Sequence, residues 1–140
     1  MQLAEEDSNR RMLRARDAMD RGYAEPLDIA ALARVAVVSP AHFIRTFRAT
    51  FGETPHRYLQ RRRVERAMSL LRDTEMSVTD ICLSVGFTSL GTFSRTFREV
   101  LGESPTAYRR RAPVVALPSC VAMARLRPSS FGEAWRPGAS

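Results

Sequence analysis

A segment of 16 residues occurs twice in this chain, fifty positions apart, and this duplication limits what the chain can fold into. Residues 43–58 read FIRTFRATFGETPHRY, residues 93–108 read FSRTFREVLGESPTAY, and nine of the 16 positions are identical. A solenoid normally needs three or more units to bury a continuous core, so two copies are too few for one. The duplication therefore predicts two equivalent docking modules.

Each copy carries the signals of a helix, a sharp turn and a second helix. In the first copy Phe43 and Phe47 stand four apart, which marks the inward face of a helix. Gly52 follows the last apolar residue and suits the left-handed position that ends a helix. Thr54 and Pro55 then predict an N-cap and the first residue of the next helix. The same residue types, with serine in place of threonine, recur fifty positions later.

A pair of arginines falls outside the inward face in each copy. Arg45 and Arg48, like Arg95 and Arg98, stand three apart and point outward from the same side of a helix. A guanidinium group forks onto guanine O6 and N7 or onto phosphate oxygens, which an ammonium group does less well. All 22 basic residues are arginine, which coding bias explains as well as chemistry does.

The net charge of +7 is concentrated in one part of the chain. Residues 40–72 hold eight arginines and two acids, whereas residues 1–39 hold six arginines and seven acids. Three of the eight are consecutive, at positions 61 to 63. That run has three interpretations: a solvated helix face, contact with phosphates, or a contact surface for RNA polymerase.

Composition excludes several other classes of protein. The chain has 140 residues, enough for one compact domain or two very small ones, and no apolar run approaches the ~20 residues that span a bilayer. Acids occupy the N-terminal segment where a signal peptide has its apolar region, so we expect a cytoplasmic location and no membrane association. Cys82 and Cys120 are expected to be reduced. The chain has only His42 and His56 as further candidate ligands, without close spacing, so we expect no metal site. No cofactor is expected.

Helical periodicity and capping signals predict an all-α chain of seven helices. The turn Val37-Val38-Ser39 separates the second helix from the third, which is helix-turn-helix spacing. Ser77 and Asp80 resemble a capping box that opens the fifth helix. The expected helices cover residues 8–21, Leu27 to about 36, 40–50, Pro55 to about Arg72, Ser77 to about Val85, a segment through Phe93 and Phe97, and a segment from Pro105.

Residues 86–111, GFTSLGTFSRTFREVLGESPTAYRRR, resemble the signature of the AraC/XylS transcriptional regulators. Residues 32–59 are similar to the first helix-turn-helix of that family, so the resemblance extends over about residues 8–111. It implies a DNA-binding domain in residues 1–111, with helix-turn-helix units at about 27–50 and 77–100 joined by a rigid linker helix at about 55–72. It also implies binding to adjacent major grooves on one face of DNA, and a role as an activator.

The resemblance assigns the second helix of each unit to the major groove, so that its outward residues meet base edges. The expected base-reading residues are Pro40, Ala41, His42, Ile44 and Arg45 in the first unit, and Leu90, Gly91, Thr92, Ser94 and Arg95 in the second. The expected contacts to the DNA backbone are Ser39, Arg48, Thr54, Arg61, Arg62, Ser89, Arg98, Ser104 and Arg109. Replacing Arg61 or Arg62 is accordingly expected to weaken binding to every duplex. Ala41, Leu90 and Gly91 depart from the polar residues usual in relatives and favour fewer base contacts.

Three functions compete on the sequence alone. The first is a sequence-specific, non-enzymatic regulator with double-stranded DNA as its partner. The second is a DNA-binding module without sequence preference, and the third is a repair enzyme that uses a reactive cysteine beside this unit. The effector-sensing domain of many relatives finds no room in this length, so the chain is either a stand-alone regulator under an unknown effector or partner protein, or a fragment. Residues 112–140, rich in proline, are expected to be partly disordered or folded back.

Overall fold

The computed structural model describes residues 2–112, which form seven α-helices and no strand. This confirms the predicted all-α, seven-helix class. The helices are α1 (Gln2–Arg21), α2 (Ile29–Ala36), α3 (Pro40–Phe51), α4 (Pro55–Asp73), α5 (Val78–Ser84), α6 (Leu90–Leu101) and α7 (Pro105–Arg111). The tail predicted for 112–140 lies, apart from Ala112, outside the described residues.

The chain divides into two compact units after Leu59, within α4. Unit 1 contains α1, α2, α3 and the first turn of α4. Unit 2 contains the rest of α4 with α5, α6 and α7. Each unit therefore has its own helix-turn-helix pair, α2 with α3 and α5 with α6.

Aromatic rings at the centre of unit 1 hold α3 against the start of α4. The ring of Phe47 lies 5.6 Å from Phe43, 4.7 Å from Phe51 and 5.7 Å from Tyr58, centroid to centroid. Such tilted and edge-on pairs add to the free energy gained by burying the rings. The buried core of this unit consists of Met12, Ala15, Met19, Leu32, Ala33, Ala36, Phe43, Phe47, Tyr58 and Leu59.

Unit 2 repeats two of these ring contacts, those of Phe93 with Phe97 and of Phe97 with Tyr108, and adds one from Phe87. Phe93 lies 5.2 Å from Phe87 and 5.8 Å from Phe97, and Phe97 lies 5.7 Å from Tyr108. Phe93 and Phe97 are fully buried, as are Phe43 and Phe47 in unit 1. The phenylalanines of the repeat are thus core residues, and the inward faces of α3 and α6 are confirmed.

The helix ends lie where the punctuation of the repeat predicts them. Gly52 and Gly102 adopt left-handed conformations with φ of 81° and 82°, and they donate their N–H groups to Arg48 O and Arg98 O. A residue with a Cβ is strained at such a φ, which is why glycine closes both helices. Proline opens the next helix in each case, at Pro55 and at Pro105.

The first helix begins at Gln2, six residues earlier than the apolar periodicity predicts. Its buried residues start only at Met12, so the preceding turns show no inward face to read. Leucine, alanine and glutamate near its start are strong helix formers, and Arg11 pairs with Asp7 at 2.9 Å one turn away. Intrinsic propensity therefore extends α1 beyond the part that packs.

The two helix-turn-helix turns are not of equal length. The N-caps of α2 and α5, Asp28 and Ser77, are 49 positions apart, whereas those of α3 and α6, Ser39 and Ser89, are 50 apart. Unit 2 therefore has one more residue between its two N-caps, because α5 is one residue shorter than α2 and the turn after it is two residues longer. The spacing of 50 positions between matching residues holds only from the N-caps of α3 and α6 onward.

Val37 occupies the left-handed position that closes α2, with φ 58° and ψ 47°. Its N–H donates to Arg34 O and the next N–H, of Val38, donates to Ala33 O, which together form a Schellman-type cap. In unit 2 the matching donors are Gly86, at φ 105°, and Phe87. A β-branched residue in this conformation is strained, and the unit 2 turn avoids that strain with glycine.

Replacing Val37 by glycine is expected to raise the free energy of unfolding by about 1 kcal/mol, because it removes the left-handed strain. Val37 is 68% exposed, so little buried apolar surface is lost. The matched control is Val35→Gly in the last turn of α2, also exposed, where glycine is expected to lower stability by a similar amount. Urea denaturation of the three proteins measures both changes, and a loss of stability in Val37→Gly would contradict the strain.

Among residues 2–112 no single helix is long and apolar enough to cross a membrane. Only α2 and α3 taken together reach the length and apolar composition of a membrane span, and the chain bends by 75° between them. Leu32, Ala33 and Ala36 of α2 lie in the core of unit 1.

Candidate nucleic-acid interface

The outward face of α3 consists of small, apolar and cationic side chains. Arg45 and Arg48 are both exposed and lie one turn apart on this face, and Ile44 is exposed next to them. The opposite face carries the buried Phe43 and Phe47. The remaining residues predicted to read bases in this unit, Pro40, Ala41 and His42, are exposed in the first turn of α3.

The outward face of α6 repeats this arrangement with different side chains at its start. Arg95 and Arg98 are exposed at the positions of Arg45 and Arg48. Of the other residues predicted to read bases in this unit, Leu90 and Gly91 are exposed, whereas Thr92 and Ser94 are half-buried.

Gly91 contributes no side chain to this face, although there is room for one. A Cβ added there would meet only Ser89 Oγ, at 3.7 Å, which is ordinary van der Waals contact. Alanine, the residue at the same place in α3, would therefore fit. The packing of α6 therefore does not require glycine at this position.

The three serines and the threonine that are predicted to contact the DNA backbone act as helix N-caps in the protein. Ser39 Oγ accepts a hydrogen bond from His42 N at 3.2 Å, and Ser89 Oγ accepts one from Thr92 N at 3.3 Å. Thr54 Oγ1 and Ser104 Oγ accept from the third residue after them, at 3.2 and 3.1 Å. Each hydroxyl thus satisfies a backbone N–H that the helix leaves open at its start. Ser39 and Ser89 fix the first turns of the two helices that face outward.

The arginine run at 61 to 63 is buried, although Arg61 and Arg62 are predicted to contact the DNA backbone. The three arginines are only 6%, 7% and 9% exposed. Arg61 Nη1 lies 2.5 Å from Glu65 Oε1, and Arg62 Nη1 lies 3.1 Å from Glu65 Oε2. Arg63 lies over the ring of Phe87 at 5.8 Å from its centroid. Guanidinium groups held in this way are committed inside the protein, and the solvated-face interpretation is wrong.

Glu65 was missed by the sequence analysis, although its spacing contains the signal. It follows Arg61 by four residues and Arg62 by three, the two separations that bring helical side chains together. Burial raises the pKa of the Glu65 carboxyl above its ordinary value, and the two guanidinium groups act in the opposite direction. Glu65, Arg61 and Arg62 therefore form a structural ion-pair cluster.

Arg109 is committed to the end of α4. Its Nε donates to Leu71 O at 3.0 Å and its Nη2 donates to Thr74 O at 3.4 Å. These carbonyls lie at the C-terminal end of α4, where helical carbonyl groups lack partners. Arg109 therefore holds a helix end, and its contact with the DNA backbone stays a prediction. Arg110 and Arg111 are exposed beside it.

The described residues offer no group of three or more side chains that could hold a metal ion. Cys82 is 1% exposed, and burial raises the pKa of its thiol. A reactive cysteine needs the opposite, a lowered pKa and access to solvent. Cys120 lies outside the described residues.

Residues 32–111, more than half of the chain, match the family model of a helix-turn-helix domain. An HTH-type transcriptional regulator of Mycobacterium tuberculosis is 41% identical over 64 residues, which are 46% of this chain and 25% of that protein. The bifunctional transcriptional activator and DNA repair enzyme AdaA of Bacillus subtilis is 34% identical over 71 residues, 51% of this chain and 34% of AdaA. The chain spans about a quarter of the length of the curated relatives that it matches.

Solved structures show the same fold. An AraC-type transcriptional regulator from Chromobacterium violaceum is 30% identical with a TM-score of 0.69, over 75% of this chain and 94% of that chain. The DNA-binding domain of AdpA, a global transcriptional factor solved in complex with a target DNA, is 32% identical with a TM-score of 0.67. That similarity covers 71% of this chain and 90% of the AdpA chain.

Proposed function

The chain belongs to the AraC-type helix-turn-helix family of transcriptional regulators, and from this premise we propose that it recognises specific DNA sequences through α3 and α6. Each of these helices would enter a major groove and read base edges with its outward residues. The AdpA domain in complex with its target DNA supports double-stranded DNA as the partner.

One observation carries this proposal: the paired, exposed arginines on two equivalent helices. Arg45 and Arg48 on α3 have exact counterparts in Arg95 and Arg98 on α6, while the phenylalanines between them are fully buried. We assign Arg45 and Arg95 to guanine edges, since a bidentate arginine is the commonest specific contact in the major groove. Arg48 and Arg98, one turn further from the helix start, are assigned to phosphates. The exposed residues of the first turns complete the base-reading surface.

A regulatory role is part of the same proposal. We assign the chain to transcriptional activation in the cytoplasm, with RNA polymerase as a further partner, because of its family. Arg66 of α4 is exposed and open to such a partner, whereas Arg61 and Arg62 are buried.

The test is selection of preferred duplexes from a random pool, followed by titration of the selected duplex and a scrambled control at two salt concentrations. The expected result is a site with two enriched blocks about one helical turn apart, the spacing of bipartite major-groove recognition. Affinity for the scrambled duplex should be at least about a thousandfold lower at physiological salt. The logarithm of affinity should fall with the logarithm of salt concentration on both duplexes.

A second outcome would identify the competing function. Strong, salt-sensitive binding with no enriched block indicates a module that coats DNA without sequence preference. A single enriched block would restrict base reading to one unit and leave the other as a backbone anchor. The selection therefore separates all three modes of binding.

A repair activity like that of AdaA finds no support in the described part of this chain. The chemistry of a reactive cysteine needs a thiolate, and Cys82 is buried with its Sγ 3.9 Å from Phe87 O. Alkylation of the protein's thiols should therefore leave DNA binding intact, and repair of damaged DNA by this chain would contradict the non-enzymatic assignment.

A further inference from the structure

The outward face of α3 carries one large apolar side chain that the core does not use. Ile44 is 39% exposed and precedes Arg45 directly. It belongs neither to the buried core of unit 1 nor to the partly buried residues packed against that core. An aliphatic side chain held in this place is available for contact with whatever α3 meets.

The chain contains its own comparison for this residue. Ile44 is the fifth residue after the N-cap Ser39, and Ser94 is the fifth residue after the N-cap Ser89. Both are followed by an exposed arginine, and both helices keep the same inward phenylalanines. At this outward position, as at others, the two helices therefore differ: α3 has an exposed apolar side chain and α6 a half-buried hydroxyl.

We propose that Ile44 makes α3 a reader of a C5-methylated pyrimidine beside the guanine bound by Arg45. The inference rests on the proposed function, since it assumes that α3 lies in the major groove. Thymine presents its C5-methyl group there, and 5-methylcytosine presents the same group at the same position. Uracil and unmethylated cytosine lack it. An isoleucine side chain has no hydrogen-bonding group, so the methyl is what it can recognise.

Contact between Ile44 and the methyl removes apolar surface of both groups from water. Burying one methyl-sized group corresponds to about a fourfold change in affinity. Ser94 in α6 would bury its smaller side chain with less gain, because its hydroxyl prefers a polar partner. Discrimination for the methyl is therefore expected in the α3 half of the binding site and not at the equivalent place in the α6 half.

The experiment uses the duplex obtained by selection with the full chain. The α3 block is the one whose enrichment is weakened by Arg45→Ala and not by Arg95→Ala. Each thymine of that block is then replaced singly by deoxyuridine, and affinities are measured by titration. We expect one thymine, beside the guanine, whose replacement lowers affinity about fourfold.

A second pair of duplexes separates the two sources of the methyl group. Cytosine or 5-methylcytosine, opposite guanine, is placed at the sensitive position. The methylated base is expected to bind about fourfold tighter than cytosine. Tighter binding of the thymine duplex than of the 5-methylcytosine duplex identifies thymine as the natural base, and the reverse order identifies a methylated cytosine. Equal binding of cytosine and 5-methylcytosine would overturn the proposal.

Reciprocal variants show whether Ile44 is the residue responsible. Ile44→Ser is expected to reduce the ratio of affinities for thymine and deoxyuridine to about one in the α3 block. Ser94→Ile is expected to create such a ratio in the α6 block. Thermal unfolding of both variants checks that they fold, which the exposure of Ile44 favours.

Two further results would overturn the inference. One is a wild-type protein that is insensitive to deoxyuridine at every thymine of the α3 block. The other is the same sensitivity in Ile44→Ser as in wild type. With an enriched site in hand, either result removes the methyl reading alone. A selection without any enriched block removes the proposed function and this inference together.

Discussion

Replacing Glu65 by alanine is expected to lower the free energy of unfolding by about 3 kcal/mol. The side chains of Glu65, Arg61 and Arg62 are only 5%, 7% and 8% exposed, so the pair of ionic contacts lies in a region that water hardly reaches. Removing the carboxylate takes this counter-charge away from two buried guanidinium groups. Breaking a buried ion pair from one side costs far more than breaking one at the surface.

The control is Arg66→Ala, the next residue of α4. Arg66 is exposed, so its replacement is expected to change stability by no more than about 0.5 kcal/mol. Urea denaturation measures both variants against wild type. A loss below about 1 kcal/mol in Glu65→Ala would show that the carboxylate is not what compensates the two arginines.

A triple variant tests the same cluster from the other direction. All three charged residues are exchanged for apolar ones in the combination Arg61→Met, Arg62→Met and Glu65→Leu. Such exchanges of buried ionic clusters are often neutral or stabilising, because the desolvation cost of the charges disappears with them. We expect the triple variant to recover most of the stability that Glu65→Ala loses.

Replacing Arg45 by alanine is expected to weaken binding to the selected duplex by about 1–3 kcal/mol and to affect the scrambled duplex much less. The loss is specific because the guanidinium fork matches O6 and N7 of guanine, a pattern that other base pairs do not present. Arg45 is exposed, so the protein should fold normally. Paired titrations on the two duplexes give the ratio of losses, and equal losses on both would refute base reading by Arg45.

Arg48→Ala is the matched control, one turn along the same face of α3. A phosphate contact carries no sequence information, so both duplexes are expected to lose affinity alike. The slope of the logarithm of affinity against the logarithm of salt concentration should also become shallower by about one. A selective loss on the selected duplex would instead move Arg48 into the base-reading group.

The duplicated segment and its punctuation are local features, and the structure confirms the helices that they predict. Caps, closing glycines and opening prolines act over four residues or fewer, so their effect can be read from neighbouring positions. The alternation of buried phenylalanines and exposed arginines on α3 and α6 is equally local. The assignment of Arg45 and Arg95 to bases stays a prediction, since the structure shows their exposure and no DNA.

Burial of charged residues could not be read in the same way. Three consecutive arginines within a charged helix look like a solvated face or a phosphate-binding strip, because neither charge nor periodicity tells which side chains are covered. The spacing of Glu65 from Arg61 and Arg62 indicates pairing, but pairing on a helix is compatible with exposure. The low exposure of all three arginines emerges only when the chain is folded around them.

Local patterns in the amino-acid sequence were sufficient to predict the seven helices, the helix ends at the closing glycines and opening prolines, and the two outward arginine pairs. Each of these depends on contacts within one or two helical turns. Only the folded chain reveals that Arg61 and Arg62 serve the interior and that Arg109 holds the end of α4. The left-handed conformation of Val37, in a turn two residues shorter than its counterpart, likewise emerges only there. Those outcomes depend on residues distant in sequence and on the path of the backbone, and local patterns carry information about neither.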